Sequence, residues 1–116
     1  MSTTVCRLDQ IEREGGVTAL VDGEAVAVFR TYDDQVFALS NYDPFGRASV
    51  LARGIVGTRT VEDEAVPFVA SPLLKQAFDL RTGACLDDPT VAVPTYEVSV
   101  EDGVVSVGAR RETIGP

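Results

Sequence analysis

Val17-Thr18-Ala19-Leu20-Val21-Asp22-Gly23-Glu24-Ala25-Val26-Ala27-Val28-Phe29-Arg30 is the stretch that decides the fold. Two apolar runs flank Asp22-Gly23. An Asp-Gly pair in that position marks a tight hairpin, because glycine accepts the positive φ that a primed turn demands. The polar turn Thr31-Tyr32-Asp33-Asp34-Gln35 follows, then a third run, Val36-Phe37-Ala38-Leu39-Ser40, so residues 17–40 read as a meander. The same grammar returns later in the chain. Thr95-Tyr96-Glu97-Val98-Ser99-Val100 alternates polar and apolar residues as a half-buried strand does. Glu101-Asp102-Gly103 then turns the chain into Val104-Val105-Ser106-Val107.

The centre, residues 41–86, is less regular. Gly54-Ile55-Val56-Gly57 and Val66-Pro67-Phe68-Val69-Ala70 predict short strands, with Thr58 to Glu64 between them as an exposed polar loop. Gln76-Ala77-Phe78-Asp79-Leu80 and Ala84-Cys85-Leu86 flank a turn at Arg81-Thr82-Gly83. The one helix candidate, Asp9 to Arg13, is too short to stand without tertiary support. No internal repeat is evident. Short strands punctuated by turns predict an all-β antiparallel sandwich or small barrel. Residues 1–108 are expected to form a single domain and residues 109–116 a frayed tail.

Composition narrows the function. The chain has 116 residues, enough for one domain, with 18 acidic against 10 basic side chains and a net charge of −8. Nucleic acids and anionic membranes select clustered basic surfaces, so neither is an expected partner. Solubility is the plain reading of that charge, and steering toward a basic partner surface the sharper one. The longest apolar runs are far below the about 20 residues of a membrane span, and Met1-Ser2-Thr3-Thr4-Val5 shows no secretion signal. Cys6 and Cys85 are too few for a secreted disulfide scaffold, which points to a reducing, cytoplasmic setting. Two free thiols are the default there, and a bridge between them stays open.

Chemistry is conspicuous by what is missing. The chain contains no histidine, hence neither the commonest general base nor a Ser-His-Asp or Cys-His arrangement. Two distant cysteines make no CxxC pair and no four-ligand zinc site. Glycine-rich nucleotide motifs are absent. The chain is therefore expected to have no catalytic residues and no metal ligands of its own.

Two loops in the centre resemble the cluster-binding loops of the Rieske iron–sulfur fold. Those loops supply Cys-x-His and Cys-x-x-His, so that one iron takes two thiolates and the other two imidazoles. Here Phe37-Ala38-Leu39-Ser40 leads into Asn41-Tyr42-Asp43, and Val69-Ala70 leads into Ser71-Pro72-Leu73-Leu74. Asn41 and Asp43 thus stand at the first Cys and His positions, and Ser71 and Leu74 at the second pair. Phe78-Asp79-Leu80-Arg81-Thr82-Gly83 matches the strand and turn after the second loop, and residues 96–103 match the closing hairpin. The resemblance implies a Rieske-like antiparallel β-sandwich or small barrel with an inserted two-loop, ligand-type subdomain. All four ligand positions are replaced by residues poorly suited to such a cluster.

Ser40-Asn41-Tyr42-Asp43-Pro44-Phe45, Leu51-Ala52-Arg53-Gly54-Ile55-Val56-Gly57 and Val69-Ala70-Ser71-Pro72-Leu73-Leu74-Lys75-Gln76 are together similar to one cluster-less branch. That branch is the small subunit of assimilatory NAD(P)H-dependent nitrite reductase. The resemblance implies a non-catalytic partner, with no cofactor in this chain. The partner it implies is a large subunit that carries FAD, an iron–sulfur cluster and sirohaem, reduces nitrite to ammonium and is docked by this chain. The alternative is a cluster-less Rieske-like interaction module of another oxidoreductase. Tyr42, Phe45, Leu73, Leu74 and Lys75 are the partner-contact candidates, with Phe45 alternatively a plug for the volume a cluster would fill. Asn41, Asp43 and Ser71 are expected to hydrogen-bond in the loops and link them in the cluster's place.

Overall fold

The computed structural model describes residues 2–111. Its strands are β1 (Thr3–Arg7), β2 (Gly15–Val21), β3 (Glu24–Arg30), β4 (Val36–Ser40), β5 (Tyr42–Asp43), β6 (Ala48–Ser49), β7 (Ile55–Val61), β8 (Glu64–Ala70), β9 (Ala77–Asp79), β10 (Thr95–Glu101) and β11 (Val104–Arg111). Six of them form an antiparallel, barrel-like sheet in the order β1-β11-β10-β4-β3-β2, and β7-β8-β9 form a second sheet. Short β5 and β6 pair with each other between the two.

Strand β3 shows why the sequence opens on so continuous an apolar run. Val26 and Val28 face one core, with Ile11, Ala38, Tyr96, Val105 and Val107. Ala27 and Phe29 face the other, with Leu39, Leu51, Val56, Val69, Phe78 and Leu80. A strand covered on both faces has no solvent side on which to place polar residues, so alternation disappears. The second core lies between the six-stranded sheet and the loop-bearing subdomain, and fixes one to the other.

Three local expectations need correction. Thr58 to Val61 is strand, not loop, so the turn between β7 and β8 shrinks to Glu62-Asp63, both at positive φ (50° and 65°). The polar residues of β7 were misleading because Thr58 and Thr60 occupy its exposed face, while Arg59 lies over the Phe68 ring at 5.3 Å. Asp9 to Arg13 forms no helix; a single 3-10 turn spans Leu8–Gln10. Strand β11 continues to Arg111, with Arg110 and Arg111 opposite Tyr96 and Thr95 past a register shift. The paired chain thus runs three residues beyond the expected boundary, and residues 112–116 of the expected tail lie outside the described residues.

Candidate functional site

The two loops are built on the same five-residue turn. In Asp43-Pro44-Phe45-Gly46-Arg47, Asp43 Oδ1 accepts the Phe45 N–H at 2.9 Å and the Asp43 carbonyl accepts the Arg47 N–H at 2.7 Å. In Ser71-Pro72-Leu73-Leu74-Lys75, Ser71 Oγ accepts the Leu73 N–H at 3.2 Å and the Ser71 carbonyl accepts the Lys75 N–H at 3.1 Å. A short polar side chain bonds the backbone two residues on, and proline pre-sets the next φ. The fifth residue closes each turn in the left-handed region, at φ 56° for Arg47 and 65° for Lys75. Asp79 to Gly83 repeats the pattern without proline, ending at Gly83 with φ 81°. Sequence reading missed this small repeat. Its signal was Asp-Pro and Ser-Pro, each with a basic residue three positions after the proline.

The heads of the two turns meet. Ser71 Oγ donates to Asp43 Oδ2 at 2.5 Å, and both side chains are buried, Asp43 completely. Asn41 behaves differently. Its Oδ1 accepts the Ala52 N–H at 2.8 Å and its carbonyl the Leu51 N–H at 3.0 Å, so it ties the first loop to the 3-10 turn Leu51–Arg53. Of the three residues expected to link the loops, only Asp43 and Ser71 do so. Gly46 makes the approach possible: a Cβ there would stand 2.5 Å from Leu73 Cδ1 and 2.9 Å from Asp43 Oδ2. At the base, a Cβ on Gly54 would stand 2.3 Å from the Ala70 carbonyl oxygen.

The contact candidates divide into two groups. Phe45 is half-buried, with its ring centroid 6.1 Å from that of Phe78, and it packs on the second core. It thus packs inward, unlike the other candidates. Tyr42, Leu73 and Leu74 are exposed by 46%, 47% and 57%, and Lys75 is exposed beside them. None of them lines a pocket among the described residues. A cavity of about 500 Å³ does exist, where β4 and β10 part, lined by Phe37, Leu80, Tyr96 and Val98 among others; no residue of either loop lines it.

The donor set does not fit a two-thiolate, two-imidazole cluster. Leu74 has no donor atom, and the oxygens of Asn41, Asp43 and Ser71 are engaged by protein hydrogens. Neither sulfur is at the loops. Cys85 is buried in the second core, bridged to Phe78, and Cys6 is in β1; both are free thiols. Burial, then the nearby Asp9 charge, pushes the Cys6 thiol up and away from the thiolate form.

Comparison with known proteins identifies the fold. The family model for the Rieske-like [2Fe-2S] domain matches residues 2–108. The NADH nitrite reductase small subunit of Escherichia coli K12 is 48% identical over 104 residues, covering 89% of this chain and 93% of that one. A crystal structure from Mycobacterium tuberculosis, assigned as an NADH-dependent nitrite reductase small subunit, superposes with a TM-score of 0.85 at 44% identity, covering 98% and 97% of the two chains. The NAD(P)H nitrite reductase large subunit of Klebsiella oxytoca is 41% identical over 104 residues, 90% of this chain but 10% of that one. The chain belongs to the Rieske-like domain family and, within it, to the small subunits of nitrite reductase.

Proposed function

We propose that this chain is the non-catalytic, cluster-less small subunit of an assimilatory NAD(P)H-dependent nitrite reductase, docking on the large subunit through the paired loop tip. In this reading the large subunit holds FAD, an iron–sulfur cluster and sirohaem and carries electrons from NAD(P)H to nitrite, giving ammonium. One observation supports physical association above all. The domain that Escherichia coli carries as a small subunit has a counterpart inside the Klebsiella oxytoca large subunit, as a tenth of its length. Covalent tethering raises the local concentration of a contact that separate chains must make by diffusion. The exposed Tyr42, Leu73 and Leu74 support the tip as the contact, since aromatic and apolar anchors carry interface energy. Two free cysteines support a cytoplasmic site.

The test is co-purification of a tagged chain with the large subunit, together with iron analysis of the chain alone. A colourless, iron-free chain that recovers a sirohaem-containing partner is expected. Leu74→Asp should lower that recovery at least about tenfold, whereas Leu20→Asp, on the exposed face of β2, should leave it unchanged. An iron-loaded chain, or recovery indifferent to Leu73→Asp and Leu74→Asp together, overturns the reading.

A further inference from the structure

The distribution of cations is uneven. Arg7, Arg13, Arg30, Arg59, Arg81 and Arg110 each lie within ion-pair distance of a carboxylate. Among the described residues four do not: Arg111, whose guanidinium donates to the Arg81 carbonyl at 3.4 Å on the far end of β11, and the exposed Arg47, Arg53 and Lys75. The last three converge on the tip. Arg47 and Lys75 close the two turns, and Arg53 lies between Ala52, which Asn41 holds, and Gly54, which packs on the Ala70 carbonyl. Residues 40–55 and 70–76 contain one acidic side chain, Asp43, which is fully buried. The neighbouring β2–β3 turn brings Asp22 and Glu24, and Glu24 is already engaged by Tyr96 and Arg110.

Backbone conformation points the same way. Of the described non-glycine residues at positive φ, six are acidic: Glu14, Asp22, Asp34, Glu62, Asp63 and Asp102. All six lie outside the two loops. Aspartate tolerates the left-handed region through local hydrogen bonds, whereas arginine and lysine have no such help. Yet the two remaining residues are Arg47 and Lys75, at the position that Gly83 takes in the third turn of the same kind. Glycine would close the same turn with less strain, so a basic side chain kept there asks for a role beyond the turn itself.

Resting on the docking reading above, we infer that the tip recognises an acidic, apolar-centred patch on the large subunit. Tyr42, Leu73 and Leu74 form the centre and Arg47, Arg53 and Lys75 the rim. The attraction thus runs opposite to the chain's overall charge of −8, which by itself would favour a basic partner. The acidic remainder of the surface is repelled by that patch, so only the tip-first orientation is productive on encounter.

The experiment compares association kinetics of the purified large subunit with three forms of the full chain. Arg47→Asn, Arg53→Gln and Lys75→Asn combined remove the rim; asparagine is chosen at the two left-handed positions because it tolerates them. Thr18→Glu, Thr58→Glu and Thr60→Glu combined impose the same net charge elsewhere, on exposed strand faces. Thermal melts confirm that each variant folds. The rim variant should associate at least about tenfold more slowly at low salt, with the difference shrinking as salt rises, and the control should not. Equal slowing of both variants, or none in the rim variant while Leu74→Asp still weakens binding, overturns the charge proposal and leaves tip docking standing. If neither the rim variant nor Leu74→Asp matters, docking through the tip has itself failed, and the inference with it.

Discussion

In the first loop the residue after the proline, Phe45, turns onto Phe78 and joins the core; in the second, Leu73 lies over Gly46 and Leu74 stays open to solvent. The backbone turn is the same in both. What differs is the direction in which its apolar payload points, and that difference divides the labour. The first loop anchors the tip to the domain through Phe45, and the second leaves Leu73 and Leu74 exposed. The Asp43–Ser71 hydrogen bond holds the two together where Rieske proteins hold them through metal.

The largest expected effect comes from cutting that link at its fully buried carboxyl end. Asp43→Ala strips the Phe45 N–H and the Ser71 hydroxyl of their acceptor, and should cost about 3 kcal/mol in urea unfolding. Ser71→Ala should cost less. The double variant should fall short of the sum by at least about 1 kcal/mol, since the two side chains share one bond. Strict additivity would mean that the loops are not coupled through this pair.

Next in size is the contrast between anchor and surface. Phe45→Ala, half-buried on Phe78, should destabilise by about 2 kcal/mol, and Leu74→Ala by less than about 0.5 kcal/mol. Similar losses at both positions would erase the distinction. Gly46→Ala should cost about 1–2 kcal/mol by forcing Leu73 off its seat, and Leu73→Ala in the same chain should recover most of it. Failure of that rescue would place the strain at Asp43 Oδ2, which a Cβ on residue 46 would approach to 2.9 Å, instead of at Leu73.

The smallest effect lies outside both loops. Hydrogen bonds from Arg13 and Arg30 hold the Asp34 carboxyl down at about 2, against an ordinary value of 3.8. A carboxyl depressed by folding contributes stability above its unfolded pKa and loses it as pH falls through the folded one. Wild type should therefore lose melting temperature between about pH 4 and 2 more steeply than Asp34→Asn. Equal slopes would show that these exposed ion pairs contribute nothing measurable.

Much of this was legible in the sequence, for identifiable reasons. Asp22-Gly23 and Asp102-Gly103 located two hairpins because glycine stands at positive φ in both, 81° and 76°. The positions Asn41, Asp43, Ser71 and Leu74 could be placed because flanking strands and prolines delimit their loops. β7 was half hidden because its exposed threonines look like loop residues until a partner strand gives them a face. The roles of Asn41 and Phe45 depend on what they meet across the fold, Ala52 and Phe78, and residue type alone does not choose between binding outward and packing inward. The cationic rim was invisible for a similar reason: net charge sums over the chain, while ion pairing in three dimensions decides which cations remain available.

Amide hydrogen exchange of this chain, alone and with the purified large subunit, tests the central claim most directly. Peptides spanning residues 42–47 and 71–76 should exchange more slowly in the complex, while the β10–β11 hairpin stays unchanged. Protection confined to β10–β11 or to β1, with the two loops exchanging as freely as before, would contradict the assignment of the loop tip as the docking surface.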